Sequence, residues 1–119
     1  MKPDAVKFLL MAEDMNRAVA FYRDVLGFEE GFVSEYWSEL RFGDAILGIH
    51  GGGDCAPKKT GLSIQYKDVS DAFEIAIAGG ATAVQKPEQR EGEPIIIALI
   101  ADTEGNHIGL TQFVGQDCT

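Results

Sequence analysis

Asp14-Met15-Asn16-Arg17-Ala18-Val19-Ala20-Phe21-Tyr22-Arg23-Asp24-Val25-Leu26-Gly27-Phe28 is the stretch on which the reading of this chain turns. Asp14 stands where a helix N-cap belongs, its carboxylate free to accept a hydrogen bond from a first-turn amide. Met15, Ala18, Val19, Tyr22, Val25 and Leu26 then recur at three- and four-residue steps, the single apolar stripe of an amphipathic helix. Gly27 sits where a left-handed terminating residue is usual. Upstream, Val6 to Met11 is short and apolar and predicts a strand. Downstream, Phe28–Ser34, Tyr36–Phe42 and Ala45–His50 predict three more, the last two joined by a tight Gly43-Asp44 turn. Gly51-Gly52-Gly53-Asp54 ends the pattern, and Cys55 to Thr60 is expected to be a linker.

The second half repeats the plan. Gly61–Lys67 predicts a strand, Asp68 or Ser70 caps a helix carrying Ala72, Phe73, Ile75 and Ala76, and Gly79-Gly80 ends it. A short strand over Thr82–Gln85 and a polar loop over Lys86–Glu93 precede two final strands, Ile95–Ala101 and His107–Val114. Between them lies a turn-forming Asp102-Thr103-Glu104-Gly105-Asn106. Asp14 and Asp68, Met15 and Val69, and Ala18 and Ala72 are each 54 residues apart; Leu47 and Ile108, and Gly48 and Gly109, are 61 apart. The seven-residue difference falls in the 86–93 loop, where insertion is cheap. The expected fold class is α+β: one domain of two βαβββ modules, about 5–54 and about 60–115. Their sheets would form a curved mixed sheet with helices on one face and a cavity on the other.

Composition bounds the function. A chain of 119 residues, 45% hydrophobic and 24% charged, is a globular domain able to bury roughly two-thirds of its unfolded surface. Its formal charge of −9 argues against nucleic acid and anionic membranes, which need surplus Lys and Arg. The longest apolar run, Pro94–Ala101, falls far short of the roughly 18 residues of a membrane span. Ala5–Ala12, followed at once by Glu13 and Asp14, does not read as a signal peptide. Cys55 and Cys118 make no disulfide framework and show no Cys-x-x-Cys or Cys–His spacing, so a cytoplasmic chain with free thiols is expected.

The Asp14–Phe28 stretch, together with Gly80-Ala81 and Asp102–Asn106, resembles the vicinal oxygen chelate superfamily. That superfamily includes glyoxalase I, bleomycin-resistance proteins and extradiol dioxygenases. The resemblance covers nearly the whole chain and implies the paired-module fold. Enzymes of the family usually hold a divalent metal with a His or Glu from the first and last strand of each module. Matching those positions through the flanking motifs gives Lys7, Gly48, Gly61 and Gly109. Three of these offer no side-chain donor, and an ammonium repels a cation. The resemblance therefore implies the scaffold without its metal: no cofactor and no metal site are expected.

Period-two alternation assigns the cavity wall. Lys7, Leu9 and Met11 would face the open side while Val6, Phe8 and Leu10 meet the helices. Ile46, Gly48 and His50 share the open side, as do Gly61, Ser63, Gln65 and Lys67 and, in the last strand, His107, Gly109, Thr111 and Phe113. Leu40 and Phe42 would be core, turning Trp37, Glu39 and Arg41 inward. The candidate ligand-binding cavity is thus Lys7, Trp37, Glu39, Arg41, Gly48, His50, Gly61, Ser63, His107 and Gly109. Each has a plainer reading: Lys7 as a partner for Glu39, Glu39 and Arg41 as a surface ion pair, Trp37 as packing, strand glycines as bulges.

The function read from this is a metal-independent small-molecule binding protein, and the reading leans away from an enzyme. The alternative is a glyoxalase- or dioxygenase-like metalloenzyme whose metal has moved to His50 and His107, with Glu39 as base. A third reading is metal-free acid–base catalysis by Glu39, Lys7 or a histidine. No phosphate-binding loop or nucleophile elbow is present. A small-molecule ligand and a homodimer are the expected partners, the latter from the resemblance and from open sheet edges.

Overall fold

The computed structural model describes residues 1–115; Cys118 lies outside them. The elements run β1 (Lys7–Ala12), α1 (Met15–Ala20), a π-helical turn (Phe21–Val25), β2 (Glu29–Phe32), β3 (Trp37–Phe42), β4 (Ala45–Gly51), β5 (Lys58–Gln65), α2 (Val69–Ala78), β6 (Thr82–Gln89), β7 (Ile95–Ala101) and β8 (Asn106–Phe113). Both helices open as expected: the Asp14 carboxylate accepts from the Arg17 amide and the Asp68 carboxylate from the Asp71 amide. Gly27, at φ +95°, turns the chain out of the first helix.

The strands form two four-stranded mixed sheets, ordered β1-β4-β3-β2 and β5-β8-β7-β6. Each has one parallel pair, β1 with β4 and β5 with β8, and is otherwise antiparallel. The register carries the internal repeat: Leu9 lies opposite Gly48, and Ser63 opposite Gly109. The α+β class and the two βαβββ modules are as expected. The sheets, however, are not closed around a cavity, since β1 and β5 end their own sheets without pairing to each other.

Core residues come from one face of each sheet and from the helices. Leu10, Leu40, Leu47 and Ile49 of module one and Ala98, Ile100, Ile108 and Leu110 of module two share a cluster with Val19, Tyr22, Val69 and Ala76. A polar clasp joins the modules. Buried Glu104 accepts from the Glu13 and Asp14 amides and from the Arg17 guanidinium, Nε–Oε2 2.7 Å. Asp102 accepts from the Tyr22 hydroxyl at 2.6 Å, and Asn106 Nδ2 donates to the Met11 carbonyl.

Several local expectations differ. The first helix is not one α-helix through Leu26; its second half widens into the π turn, which places the Tyr22 hydroxyl on Asp102. The linker is shorter than Cys55–Thr60, because β5 begins at Lys58, and the 82–85 strand continues to Gln89 through the first half of the supposed polar loop. Val6 lies outside β1 and is exposed. Phe42 is 70% exposed rather than core, because it sits at the β3–β4 turn beyond the reach of the helices.

Candidate functional site

The module-one sheet turns Lys7, Trp37, Glu39, Gly48 and His50 to the face away from α1, as the alternation predicts. Cross-strand register explains the grouping: Trp37 pairs with His50, Glu39 with Gly48, and Lys7 lies on the other side of β4, opposite Ile46. Glu39 Oε2 accepts from Lys7 Nζ at 2.7 Å and from Trp37 Nε1 at 3.0 Å. The Lys7 ammonium lies 5.9 Å from the indole centroid, and the His50 ring meets the indole edge-on at 6.3 Å. Together these contacts fix the indole in one orientation. The Lys7 ammonium first, then the indole N–H, holds the Glu39 carboxyl below the usual glutamate range. Glu39 is therefore a carboxylate acceptor rather than a proton donor at neutral pH. Arg41 is exposed, its Cα opposite that of Glu29.

The glycines in the matched positions have three different causes. A Cβ on Gly48 would stand 2.7 Å from Trp37 Cζ2, so the indole fills the space a side chain would need. Gly61 has φ +80° inside a β5 bulge, where the ladder slips so that Lys59, not Gly61, lies opposite His107. Gly109 is different again: a Cβ there would meet Ser63 Oγ at 3.4 Å and Ile97 Cδ1 and the Leu62 carbonyl oxygen at 3.8 Å, ordinary contact distances. That missing side chain leaves open a groove of about 370 Å³ on the module-two face, lined by Ser63, His107, Gly61 and Gly109. Lys59, Ile97 and Leu99 also line it and were not among the candidates.

The residues present do not suit the divalent metal the resemblance brings to mind. Lys7, Gly48, Gly61 and Gly109 supply no donor set. Among the described residues no three His, Cys, Asp or Glu side chains gather as a metal site, so His50, His107 and Glu39 do not converge within one chain. Cys55 lies beside Arg17 and Glu104, and the Glu13 carboxylate together with burial pushes its thiol above the usual range, opposite to an activated nucleophile. No helix among the described residues is long and apolar enough to cross a membrane.

A family model described as bleomycin resistance protein-like N-terminal matches residues 5–29. Among solved structures, the chain superposes on a glyoxalase/bleomycin resistance protein/dioxygenase family enzyme from Burkholderia phytofirmans PsJN with TM-score 0.76, at 20% identity over 90% of this chain and 96% of that one. The chain has the glyoxalase/bleomycin-resistance/dioxygenase fold. A bleomycin-binding protein from Streptomyces verticillus, solved with copper(II)-bleomycin, shares this fold at TM-score 0.69 and 22% identity, over 98% of this chain and 99% of that one. TioX from Micromonospora sp. ML1 gives TM-score 0.71 at 22% identity, over 93% and 99%. No curated protein sequence matches the chain.

Proposed function

We infer that this chain is a small-molecule binding protein that works without a metal. The observation that carries the reading is the indole of Trp37 lying on Gly48, locked by Glu39, Lys7 and His50. At the position where a metalloenzyme of this fold would carry a ligand side chain, this chain holds an aromatic platform with a polar rim. Such a surface suits a ligand that is partly planar and partly polar. The bleomycin-binding relative supports the reading, since it pairs this fold with a bulky small molecule.

Both open sheet faces also carry exposed apolar side chains, Leu9 and Phe32 in module one and Phe113 in module two. A second copy covering them would form a homodimer with the ligand sites enclosed.

Elemental analysis of protein purified without chelator, repeated after incubation with nickel, zinc, manganese and ferrous iron and desalting, tests the reading. The expected result is no stoichiometric metal. Retention of one equivalent that is lost in His50→Ala/His107→Ala would instead establish the displaced metal site.

A further inference from the structure

The module-two face narrows the chemistry of the ligand, an inference that rests on the small-molecule reading above. Its three inner strands form a grid. In successive rows Lys59 lies opposite His107 and His107 opposite Ala101; Ser63 opposite Gly109 and Gly109 opposite Leu99; Gln65 opposite Thr111 and Thr111 opposite Ile97. The β5 column is polar and the β7 column aliphatic, with Gly109 the low point between them. The groove follows that valley.

Its charge is one-sided. No carboxylate lines it, although the chain carries a net −9. Lys59 makes no ion pair among the described residues, in contrast to Lys7 and Lys58. The Ser63 hydroxyl and the His107 ring likewise donate to and accept from nothing among the described residues, so one wall offers an ammonium, a hydroxyl and an imidazole. The facing wall of Ile97 and Leu99 offers only hydrocarbon.

We propose that this groove is a subsite for an aliphatic carboxylate, its head group at the Lys59–His107 row and its chain crossing Gly109 against Ile97 and Leu99. Gly109 is then the residue that sets chain length, because any side chain there would stand in the valley. The bulge at Gly61 serves the same end. By slipping the ladder it brings Lys59 level with His107, where the regular register would have placed a glycine.

The test is a calorimetric and amide-shift titration with n-alkyl carboxylates from butanoate to decanoate, beside 1-alkanols and n-alkylammonium ions of matched length. Each added methylene is expected to tighten carboxylate binding about threefold to fourfold until the groove is full. Carboxylates should outbind the matched alkanols by roughly tenfold, as a charge-assisted hydrogen bond predicts. Lys59→Gln should erase that preference and leave the chain-length dependence. Gly109→Val should exclude the longer chains. Gly109→Ala, whose Cβ meets nothing closer than 3.4 Å, should fold normally and shift the optimum to shorter chains.

Preference for alkylammonium ions, or carboxylate binding indifferent to both Lys59→Gln and the Gly109 variants, would overturn the subsite and leave small-molecule binding intact. So would silence toward carboxylates from protein whose Trp37 fluorescence responds to other small molecules. Silence toward every compound would overturn both.

Discussion

Trp37 and Gly48 compete for one volume, and the glycine yields. Gly48→Ala is expected to push the indole off its seat: its emission should shift, and stability should fall by about 1 kcal/mol as the ring finds a new rotamer. Urea melts followed by fluorescence measure both effects, and the chain's single tryptophan makes the signal unambiguous. The carboxylate that holds the ring has a pH signature. Glu39 titrates below its unfolded value of about 4.3, so its stabilising contribution is fully present above that pH and is lost as pH falls through the lowered folded value. Trp37 emission should change as pH falls below the usual glutamate range, and Glu39→Gln should remove that acid step. At this scale the sequence was readable wherever polar and apolar residues alternate. Lys7, Trp37, Glu39, Gly48 and His50 share a face because each strand obeys period two. Ile97 and Leu99 were invisible because β7 is an unbroken apolar run, Ile95 to Ile97 and onward, in which alternation leaves no mark.

Between elements, the clasp around Glu104 determines how the two modules meet. The carboxylate is 1% exposed and collects donors from the β1–α1 corner, so its removal strands two amides and the Arg17 guanidinium. Glu104→Ala should cost roughly 3 kcal/mol in urea unfolding at neutral pH. Burial alone would raise its pKa, but the hydrogen bonds from Arg17, the Asp14 amide and Thr103 outweigh it and lower the carboxyl below the usual range. The contribution is therefore present above the unfolded value and fades as pH falls through the lowered folded one, so the stability gap between wild type and Glu104→Gln should narrow in acid over that range. Sequence spacing announced the Asp102–Asn106 turn but not its partners, since nothing local links it to a corner about ninety residues away. The π turn was equally hidden: its stripe of Val19, Tyr22 and Leu26 fits ordinary helical spacing. The β5 bulge broke alternation at Gly61, which is why Lys59 was assigned to a linker and missed as a groove residue.

On the scale of the whole molecule, two modules repeat one topology but present unlike faces. Module one offers an indole with charges around it, and module two a valley between a polar and an aliphatic wall. A ligand with a planar or polar part and a hydrocarbon part would use both, and a homodimer that covered Leu9, Phe32 and Phe113 would enclose it. Light scattering across a dilution series is expected to give twice the chain mass, and Phe113→Glu to shift the population toward monomer. The repeat itself was legible as offsets of 54 and 61 residues, and it reappears as the Leu9–Gly48 and Ser63–Gly109 register. The separation of the sheets was not, because edge-to-edge pairing of β1 and β5 leaves no trace in either strand's own residues. The most direct measurement is a Trp37 fluorescence titration with a small-molecule set, on the same preparation before and after exhaustive chelation. The account predicts saturable binding that is identical in both, and unchanged in its insensitivity to chelator in His50→Ala/His107→Ala. Binding that disappears with chelation and returns on adding a divalent metal would contradict it.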